Sequence, residues 1–296
     1  MKVSLITVCY NSAATIRGTM ESVARQRGDE SLEIEYIVID GGSTDGTVDV
    51  IKKFEAARTP LPHAPNFAFR WLSEKDRGMY DALNKGIAMA TGDVVGILNA
   101  DDRLEDERVL LDVAKAFGEG PRSSFSRSGK DSASPLADAS AMDVGTPVDA
   151  VYGDVRFVRG EGTETVRYYS SRPWRPWMHS WGYMPAHPTM YVRREVFAKF
   201  GGYKLGYDIS ADFEWMVRVF CKGRIRVKYV PRCMVTMRLG GKSTAGLKAM
   251  LRLNRENVRA NRENGYFCCL PMMLPKYFYK IFGYVWRRKR REERKD

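Results

Sequence analysis

The feature that most constrains this chain is a short apolar run, residues 94–98, that is followed by Asp101 and Asp102. The run is too short for a helix and rich in β-branched residues, so it predicts a buried strand. Two adjacent carboxylates at a strand end repel each other unless a cation or a proton relieves the repulsion. Ligands of open α/β sheets lie beyond the carboxyl ends of the strands, which makes the acid pair a candidate Mg2+ or Mn2+ site. The alternative is an ordinary loop with an aspartate as helix N-cap.

Three similar apolar runs precede this one, at residues 3–8, 34–39 and 67–72. Each is followed by a helical pattern, and we expect the fourth helix to begin near Arg103, directly after the acid pair. Strands that alternate with helices predict an α/β fold, in which a mostly parallel sheet is connected by right-handed crossovers and flanked by helices.

The second half of the chain is less regular. Residues 119–147 are dominated by Ser, Gly, Pro, Asp and Ala, which indicates a surface insertion to which we assign no function. Residues 150–154 predict a further strand, 166–169 its antiparallel partner, and 209–221 a helix. We therefore divide the chain into a unit of residues 1–245, composed of parts 1–118, 119–147 and 148–245, and a basic helical C-terminal extension of residues 246–296.

Composition narrows the class of protein. The 296 residues are 44% hydrophobic, as in an ordinary soluble protein, and contain no run of 18 apolar residues that could span a membrane. The five cysteines show no metal-ligand spacing, and the run 3–8 follows Lys2 too directly for a signal peptide, so we expect reduced thiols and a cytoplasmic location. The net charge of +12 would suit a nucleic-acid-binding protein, but the acidic strand ends would repel phosphodiesters.

Much of the excess positive charge lies in the C-terminal tail. Aromatic and aliphatic residues at 277–286 are followed by five basic residues at 287–291. This order is typical of a segment that lies on an anionic bilayer, so we expect peripheral attachment to the inner face of the cell membrane. The alternative is a solvated terminal helix.

Eight segments at strand ends together resemble the family 2 glycosyltransferases, which have the GT-A fold. The resemblance covers about residues 3–102 and 150–245 and is greatest to the bacterial enzymes of exopolysaccharide and O-antigen synthesis. It implies a metal-dependent hexosyltransferase that moves a sugar from a nucleotide sugar, with UDP favoured, to a saccharide or lipid-linked saccharide acceptor. The segments are TVCYN (7–11), IDGGSTDGT (39–47), SEKDRGMYDALNKGI (73–87), LNADD (98–102), VYGD (151–154), HPTMYVRREVFAKFGGY (187–203), SADFEW (210–215) and MRLGGKST (237–244).

The resemblance also implies the residues that bind the donor. Asp40 would accept the imide N–H of uracil, although a turn aspartate that bonds its own backbone is the ordinary alternative. Asp76 would contact the base or ribose, Asp101 the ribose, and Asp102 the metal that bridges the diphosphate and acts as a Lewis acid. The remaining expected donor contacts are Val8, Tyr10, Asn11, Gly78, Asn99 and Lys242.

Asp212 is the expected general base, since an inverting transfer needs one carboxylate to take the proton of the acceptor hydroxyl. The family has an acidic pair here, whereas this chain has Ala211 before Asp212, and a helix-start aspartate also stabilises a helix dipole. Three residues are assigned to the acceptor or phosphate region. They are His187, which is equally well explained as a structural histidine, Glu214, and Trp181, which also suits a core or lid position.

A sugar-phosphate nucleotidyltransferase is the alternative function, because it shares an α/β sheet and a metal-bound aspartate. It would be expected to have a Gly-rich basic loop after the first strand, whereas residues 9–12 are Cys-Tyr-Asn-Ser. A retaining transferase is a further alternative, and the single base candidate favours inversion.

Overall fold

Strands and helices alternate through the N-terminal half, as the apolar runs predict. A computed structural model describes residues 1–28, 31–57, 64, 66–118, 148–160, 162, 164–239 and 246–277. The first seven elements are β1 (Lys2–Cys9), α1 (Ile16–Ala24), β2 (Glu33–Asp40), α2 (Thr47–Ala56), β3 (Phe67–Ser73), α3 (Met79–Met89) and β4 (Val94–Ile97).

The second half adds shorter elements and longer irregular connections. Its elements are β5 (Arg103–Leu104), α4 (Val109–Gly118), β6 (Ala150–Val158), β7 (Thr165–Tyr169), β8 (Tyr191–Arg193), α5 (Arg194–Phe200), α6 (Ala211–Met216), β9 (Val227–Arg238) and α7 (Leu247–Glu263). Three short 3-10 turns lie at Pro176–Trp181, His187–Thr189 and Leu270–Met273, and α6 continues as a π-helical turn, Val217–Lys222.

The predicted helix start near Arg103 is wrong. Arg103 and Leu104 form β5, which pairs antiparallel with Thr236 and Val235 of β9, and the helix begins only at Val109. A two-residue strand has no periodicity of its own, so only its distant partner in β9 makes it a strand.

One sheet joins the two halves in the order β3-β2-β1-β4-β8-β6-β9-β5, and β7 pairs with β6. The strands β3, β2, β1 and β4 are parallel, whereas β8 is antiparallel to both β4 and β6. The predicted α/β fold is confirmed, with a parallel first half and a mixed second half. Because β1 to β4 run in one direction, their carboxyl ends and the loops after them meet at one edge of the sheet.

The core lies on both faces of this sheet. In β1, Val3 and Leu5 belong to one buried cluster, and Ile6 and Val8 belong to the other. The first cluster is covered mainly by α1, α2 and α4, the second by α3, α5 and α6. A strand that is buried on both faces explains why the run 3–8 is continuously apolar rather than alternating.

The C-terminal extension packs on the second half of the chain. Helix α7 contacts α6, and the 3-10 turn at Leu270–Met273 contacts both α7 and the turn at Pro176–Trp181. Across the described parts of the chain, no helix combines the length and the apolar character needed to cross a bilayer.

Candidate active site

The loops after β1 and β2 are bonded to each other at the carboxyl edge of the sheet. The Asn11 backbone N–H donates to Oγ of Ser43 at 2.7 Å, and its side-chain oxygen accepts from the Thr44 N–H at 2.9 Å. Asn11 adopts a left-handed backbone with φ of 49°, which asparagine tolerates better than most residues. Tyr10 is 63% exposed on this rim, whereas Val8 is buried beneath it.

Asp40, at the end of β2, organises its own loop. One carboxylate oxygen accepts the N–H groups of Gly42 and Ser43 at 3.1 and 3.0 Å and the Ser73 hydroxyl at 2.7 Å, and the other accepts the Ser43 hydroxyl. Burial opposes its charge, but the hydrogen bonds from Ser43 and Ser73 outweigh burial and lower the pKa of Asp40. In the structure Asp40 is thus a turn aspartate. Its contact with uracil stays a prediction, and to accept the imide N–H the carboxylate would have to give up one of these hydrogen bonds.

Asp76 lies against the backbone of the Asp40 loop. A Cβ on Gly41 would sit 2.4 Å from the Asp76 carboxylate, so a larger residue at position 41 would force that carboxylate to move. The other Asp76 oxygen accepts the Gly78 N–H at 2.7 Å. Gly78 has φ of 114°, a conformation that favours glycine, and it begins α3. The ends of β2 and β3 therefore present one partly exposed carboxylate, that of Asp76, to the edge.

The acid pair after β4 contains one buried and one exposed carboxylate. Asp102 is 1% exposed, and its Oδ2 accepts from Nδ2 of Asn99 at 2.8 Å. Within the described residues its Oδ1 is buried without any hydrogen-bond partner. Burial, together with the neighbouring charge of Asp101, raises the pKa of Asp102 to about 8. A buried acceptor that lacks a partner costs free energy, so it marks a position at which a bound group would be stabilising.

This arrangement fits a hard divalent cation that is only partly ligated by the protein. Among the described residues no group of three His, Cys, Asp or Glu side chains could hold a metal alone. Mg2+ is commonly bound by one or two carboxylates while water and substrate phosphates complete its shell. Asp102, with Asp101 beside it, supplies that number of oxygen ligands.

Asp212 lies in the first turn of α6, where its carboxylate is held by two donors. The Phe213 N–H donates to Oδ1 at 2.9 Å, and the Tyr80 hydroxyl of α3 lies 3.2 Å from the same atom. In the described part of the chain, Oδ2 of Asp212 accepts no hydrogen bond. One oxygen is thus fixed by the fold and the other is left for a proton from outside.

His187 and Tyr203 lie beside Asp212. The His187 Nε2 is 2.9 Å from the Tyr203 hydroxyl, and Asn84 of α3 bonds the Tyr203 backbone at both N–H and C=O, each at 2.8 Å. Burial lowers the pKa of His187 although the charge of Asp212 acts in the opposite direction, so the ring is neutral near pH 7. The structure thus bonds His187 to Tyr203, close enough to the candidate base to feel the charge of Asp212.

Sequence reasoning missed Glu256 of α7, which supports the loop before Asp212. Its carboxylate accepts the backbone N–H groups of Asp208, Ile209 and Ser210 at 2.9, 3.0 and 2.9 Å. It missed Tyr80 and Asn84 as well. Their place in the segment 73–87 was visible, but their partners lie more than a hundred residues away.

The assignment of Glu214 to the acceptor region is wrong. Glu214 has no exposed surface and forms ion pairs with Lys204 at 3.0 Å and Arg218 at 3.1 Å. It also accepts from Asn264 at 3.2 Å. Burial opposes the charge of Glu214, but the bonds from Arg218 and Lys204 lower its pKa overall. Its position two residues after Asp212 directs it into the interior, where it binds α6 to its neighbours.

Two further predicted site residues are Trp181 and Lys242. Trp181 lies in an apolar groove of about 280 Å³ whose lining includes Trp177 and Pro275 but neither Asp212 nor His187. Lys242 lies outside the described residues, so its contact with a diphosphate stays a prediction.

Comparison with known proteins decides the family. A sequence model of Glycosyl transferase family 2 matches residues 4–134. An uncharacterized glycosyltransferase of Mycobacterium tuberculosis is 32% identical over 217 residues, which cover 73% of this chain and 68% of that protein. The chain belongs to the family 2 glycosyltransferases. The predicted family is confirmed, and the nucleotidyltransferase alternative is set aside.

Solved structures show that this glycosyltransferase has the GT-A fold. TarS of S. aureus, in complex with UDP-GlcNAc, matches with a TM-score of 0.57 and 16% identity over 88% of this chain. The mannosyltransferase PcManGT of Pyrobaculum calidifontis, in complex with GDP-Man and Mn2+, matches with a TM-score of 0.56 and 20% identity over 92%. The chain spans 66% of the TarS chain and 67% of the PcManGT chain. Identities this low establish the fold alone.

Proposed function

We propose that this glycosyltransferase moves a hexose from a nucleotide sugar, with UDP favoured, to a hydroxyl of a saccharide acceptor with inversion at the anomeric carbon. The observation that carries the proposal is the carboxylate of Asp212, with Oδ1 held by Tyr80 and Phe213 and Oδ2 without a partner in the described chain. A carboxylate that is fixed at one oxygen and open at the other suits a general base.

The donor is assigned to the edge formed by the loops after β1, β2, β3 and β4. The rim at Tyr10 and Asn11, the carboxylate of Asp76 and the acid pair all lie at carboxyl ends of neighbouring parallel strands. Support for a nucleotide sugar also comes from the bound UDP-GlcNAc of TarS and the bound GDP-Man of PcManGT. Preference for uracil rests on Asp40 and the resemblance of its segment.

Asp102 and Asp101 would hold Mg2+ or Mn2+. A bound cation would act as a Lewis acid and reduce the repulsion that develops on the diphosphate as it departs. Asn99 holds Oδ2 of Asp102 at 2.8 Å, which directs the unpartnered Oδ1 to a single position. The Mn2+ of PcManGT supports this assignment.

In the proposed reaction Asp212 removes a proton. The acceptor hydroxyl oxygen attacks the anomeric carbon from the face opposite the diphosphate, and its proton passes to Oδ2 of Asp212. The bond between the anomeric carbon and the phosphate oxygen breaks, and its electron pair leaves with the nucleoside diphosphate. The Phe213 N–H and the Tyr80 hydroxyl hold Asp212 during the transfer.

We assign the acceptor to a lipid-linked saccharide in cell-surface polysaccharide synthesis, met by peripheral attachment at the inner face of the membrane. The resemblance to exopolysaccharide and O-antigen enzymes supports this acceptor, and the aromatic and basic tail supports the location. The predicted tail falls largely on residues 278–296, which lie outside the described residues.

The test is a screen of the purified chain with Mn2+ against UDP-, GDP- and TDP-sugars, with donor hydrolysis as readout and the anomeric configuration of the product measured by NMR. Asp212→Asn should lower turnover by about 100- to 10,000-fold with near-native donor affinity. Asp208→Asn is the matched control, because Asp208 precedes the same helix but its side chain is exposed and paired with Arg252. Retention of configuration, or a native rate for Asp212→Asn, would overturn the proposal.

A further inference from the structure

An exposed cluster of large apolar side chains lies where two 3-10 turns of the second half pack together. The turn Pro176–Trp181 presents Trp177 and Trp181, which are 59% and 39% exposed. The turn Leu270–Met273 and its flanks pack beside it. They expose Phe267, Leu270 and Leu274 by 80%, 44% and 54%. We name these five side chains the apolar patch.

The exposed hydrophobic side chains are concentrated in the apolar patch. Eleven large hydrophobic side chains are exposed in the described chain, and five of them belong to these two short segments. Single exposed hydrophobic residues are normal on protein surfaces, whereas clusters mark a binding surface. The Cys268 thiol joins the two segments, since it donates to the carbonyl of Ser180 at 3.3 Å.

The groove within the patch has little to offer a sugar. Its lining is mostly aromatic and aliphatic, and three of its polar groups are bonded inside the protein. The Trp174 indole N–H donates to the Tyr183 carbonyl at 3.3 Å, and the Ser170 hydroxyl donates to Asp154 at 3.1 Å. The Tyr169 hydroxyl also has a carbonyl partner. A saccharide needs hydrogen-bonding groups from the protein, so hydrocarbon is the better match for this surface.

The charge of both segments suits an anionic partner. Residues 165–183 contain three arginines and no aspartate or glutamate, and residues 264–277 contain one lysine and no acidic residue. Protein surfaces that bind other proteins or sugars commonly mix both signs, whereas an anionic bilayer attracts segments that carry positive charge alone.

The described chain also ends at this patch. Pro275 lines the groove, and the description stops two residues later at Tyr277. The nineteen residues that follow in the sequence include Trp286 and the basic run 287–291. In the sequence, the aromatic and basic tail thus follows directly after the segment that lines the groove.

We propose that the apolar patch docks this glycosyltransferase on an anionic lipid bilayer, with Trp177 and Trp181 at the level of the headgroups. The proposal rests on the proposed function for the location of the acceptor, and it assigns membrane contact to the folded domain as well as to the tail. Tryptophan suits this depth because its ring is apolar and its N–H remains able to bond to water or headgroups. The basic residues of both segments add attraction to the anionic surface.

Quenching by brominated phospholipids tests where the indole rings lie. The full-length chain carries Trp286→Phe, so that the tail contributes no indole signal, and is mixed with vesicles that contain anionic phospholipid as a third of their lipid. Bromine on the acyl chains should quench the tryptophan fluorescence of this protein. A variant that also carries Trp177→Phe and Trp181→Phe should lose the quenching. Quenching that is unchanged by this pair would overturn the proposal.

Co-sedimentation supplies a second measurement. Trp177→Ala with Trp181→Ala should weaken binding of the full chain to the same vesicles by about tenfold or more, as expected for loss of buried aromatic area. Leu205→Ala with Leu251→Ala is the matched control, since both leucines are exposed outside the patch. Equal binding by the two double variants would contradict the proposal, as would concentration-dependent dimers that only the tryptophan variant lacks.

The assays separate this proposal from the catalytic one, because they contain no nucleotide sugar. Donor hydrolysis without vesicle binding would contradict the docking proposal alone. Vesicle binding without donor hydrolysis would contradict the proposed function alone. The tail is tested by truncation after Tyr277, which should retain quenching at the patch. Truncation after Glu263 is unsuitable because it would remove Cys268 and Met273, which are buried.

Discussion

The hydroxyl of Tyr80, at the start of α3, lies 3.2 Å from Oδ1 of Asp212, at the start of α6. The same hydroxyl lies 2.5 Å from the carbonyl of Ile209, so its single proton is shared between the two acceptors. A helix of the N-terminal half thus contacts both the candidate base and the loop that precedes it. Under the proposed function, changes in α3 should therefore affect chemistry.

Tyr80→Phe should lower kcat by about 10- to 100-fold, because a hydrogen bond near a charged group is worth about 1.5–3 kcal/mol. KM for the donor should stay near the native value, since Tyr80 contacts the candidate base. Steady-state kinetics would separate kcat from KM. Tyr36→Phe is the control, because it removes a buried hydroxyl bond to Thr7 in the core. Equal losses of kcat in Tyr80→Phe and Tyr36→Phe would reduce Tyr80 to a structural role.

Glu256→Gln should lower kcat without weakening donor binding. The variant keeps the shape of the side chain but loses the charge that three backbone N–H groups share, so the loop 208–210 should open more often. Hydrogen exchange at those three amides should accelerate. Glu263→Gln, about two turns further along α7, is the control, since Glu263 bonds side chains only. Unchanged exchange in Glu256→Gln would show that the loop does not depend on it.

Glu214→Gln should destabilise the fold at neutral pH by about 1–3 kcal/mol, because Arg218 loses its charged partner and keeps only the carbonyls of Phe200 and Gly202. The pH dependence of stability follows from the lowered pKa of Glu214. The stabilisation that Glu214 contributes is complete above about pH 4.5 and is lost as the pH falls through the pKa of the folded state. Denaturant unfolding should show the two proteins converging below that pH. Glu21→Gln removes an exposed pair with Arg17 at the same helical spacing and should cost at most about 1 kcal/mol. Parallel pH curves for native and Glu214→Gln would contradict this account.

Asp102→Asn should stabilise the metal-free protein while it removes Mn2+-dependent donor binding. Burial and repulsion from Asp101 raise the pKa of Asp102 to about 8, so the folded metal-free protein must hold this carboxyl protonated at neutral pH, and the amide removes that cost. A gain on the order of 1 kcal/mol would raise Tm by about 2–4 °C for a domain of this size. Melting in EDTA and calorimetry with UDP and Mn2+ would measure the two effects. Asp101→Asn, at the exposed carboxylate, should give the smaller change in both, and a lower Tm for Asp102→Asn would exclude the repulsion argument.

The elements that the sequence predicts well are those whose conformation is indicated by a pattern within their own residues. Runs such as residues 3–8 are apolar throughout because β1 is covered on both faces, and this pattern survives in any context. The acid pair could likewise be found because it directly follows β4. Strand β5 could not, since two residues acquire their conformation only from β9, more than a hundred residues later.

Helix α7 shows a second limit. Its sequence is polar, which indicates a solvated helix, yet its buried side chains include Asn254, Asn257, Asn261 and Asn264. Asn261 bonds His179 and Asn264 bonds Glu214, so the asparagines pay for burial with partners from distant segments. Periodicity of hydrophobic residues cannot reveal a face that is buried through hydrogen bonds.

The support that Glu256 gives to the loop before Asp212 has a consequence for the order in which the enzyme matures. The ribosome releases the chain from the N-terminus, so the strand ends that would receive a donor emerge well before α7. Domains generally fold as units during synthesis, and the loop 208–210 lacks its carboxylate partner until residue 256 has left the exit tunnel. The candidate base is therefore expected to take its final position only near the end of synthesis.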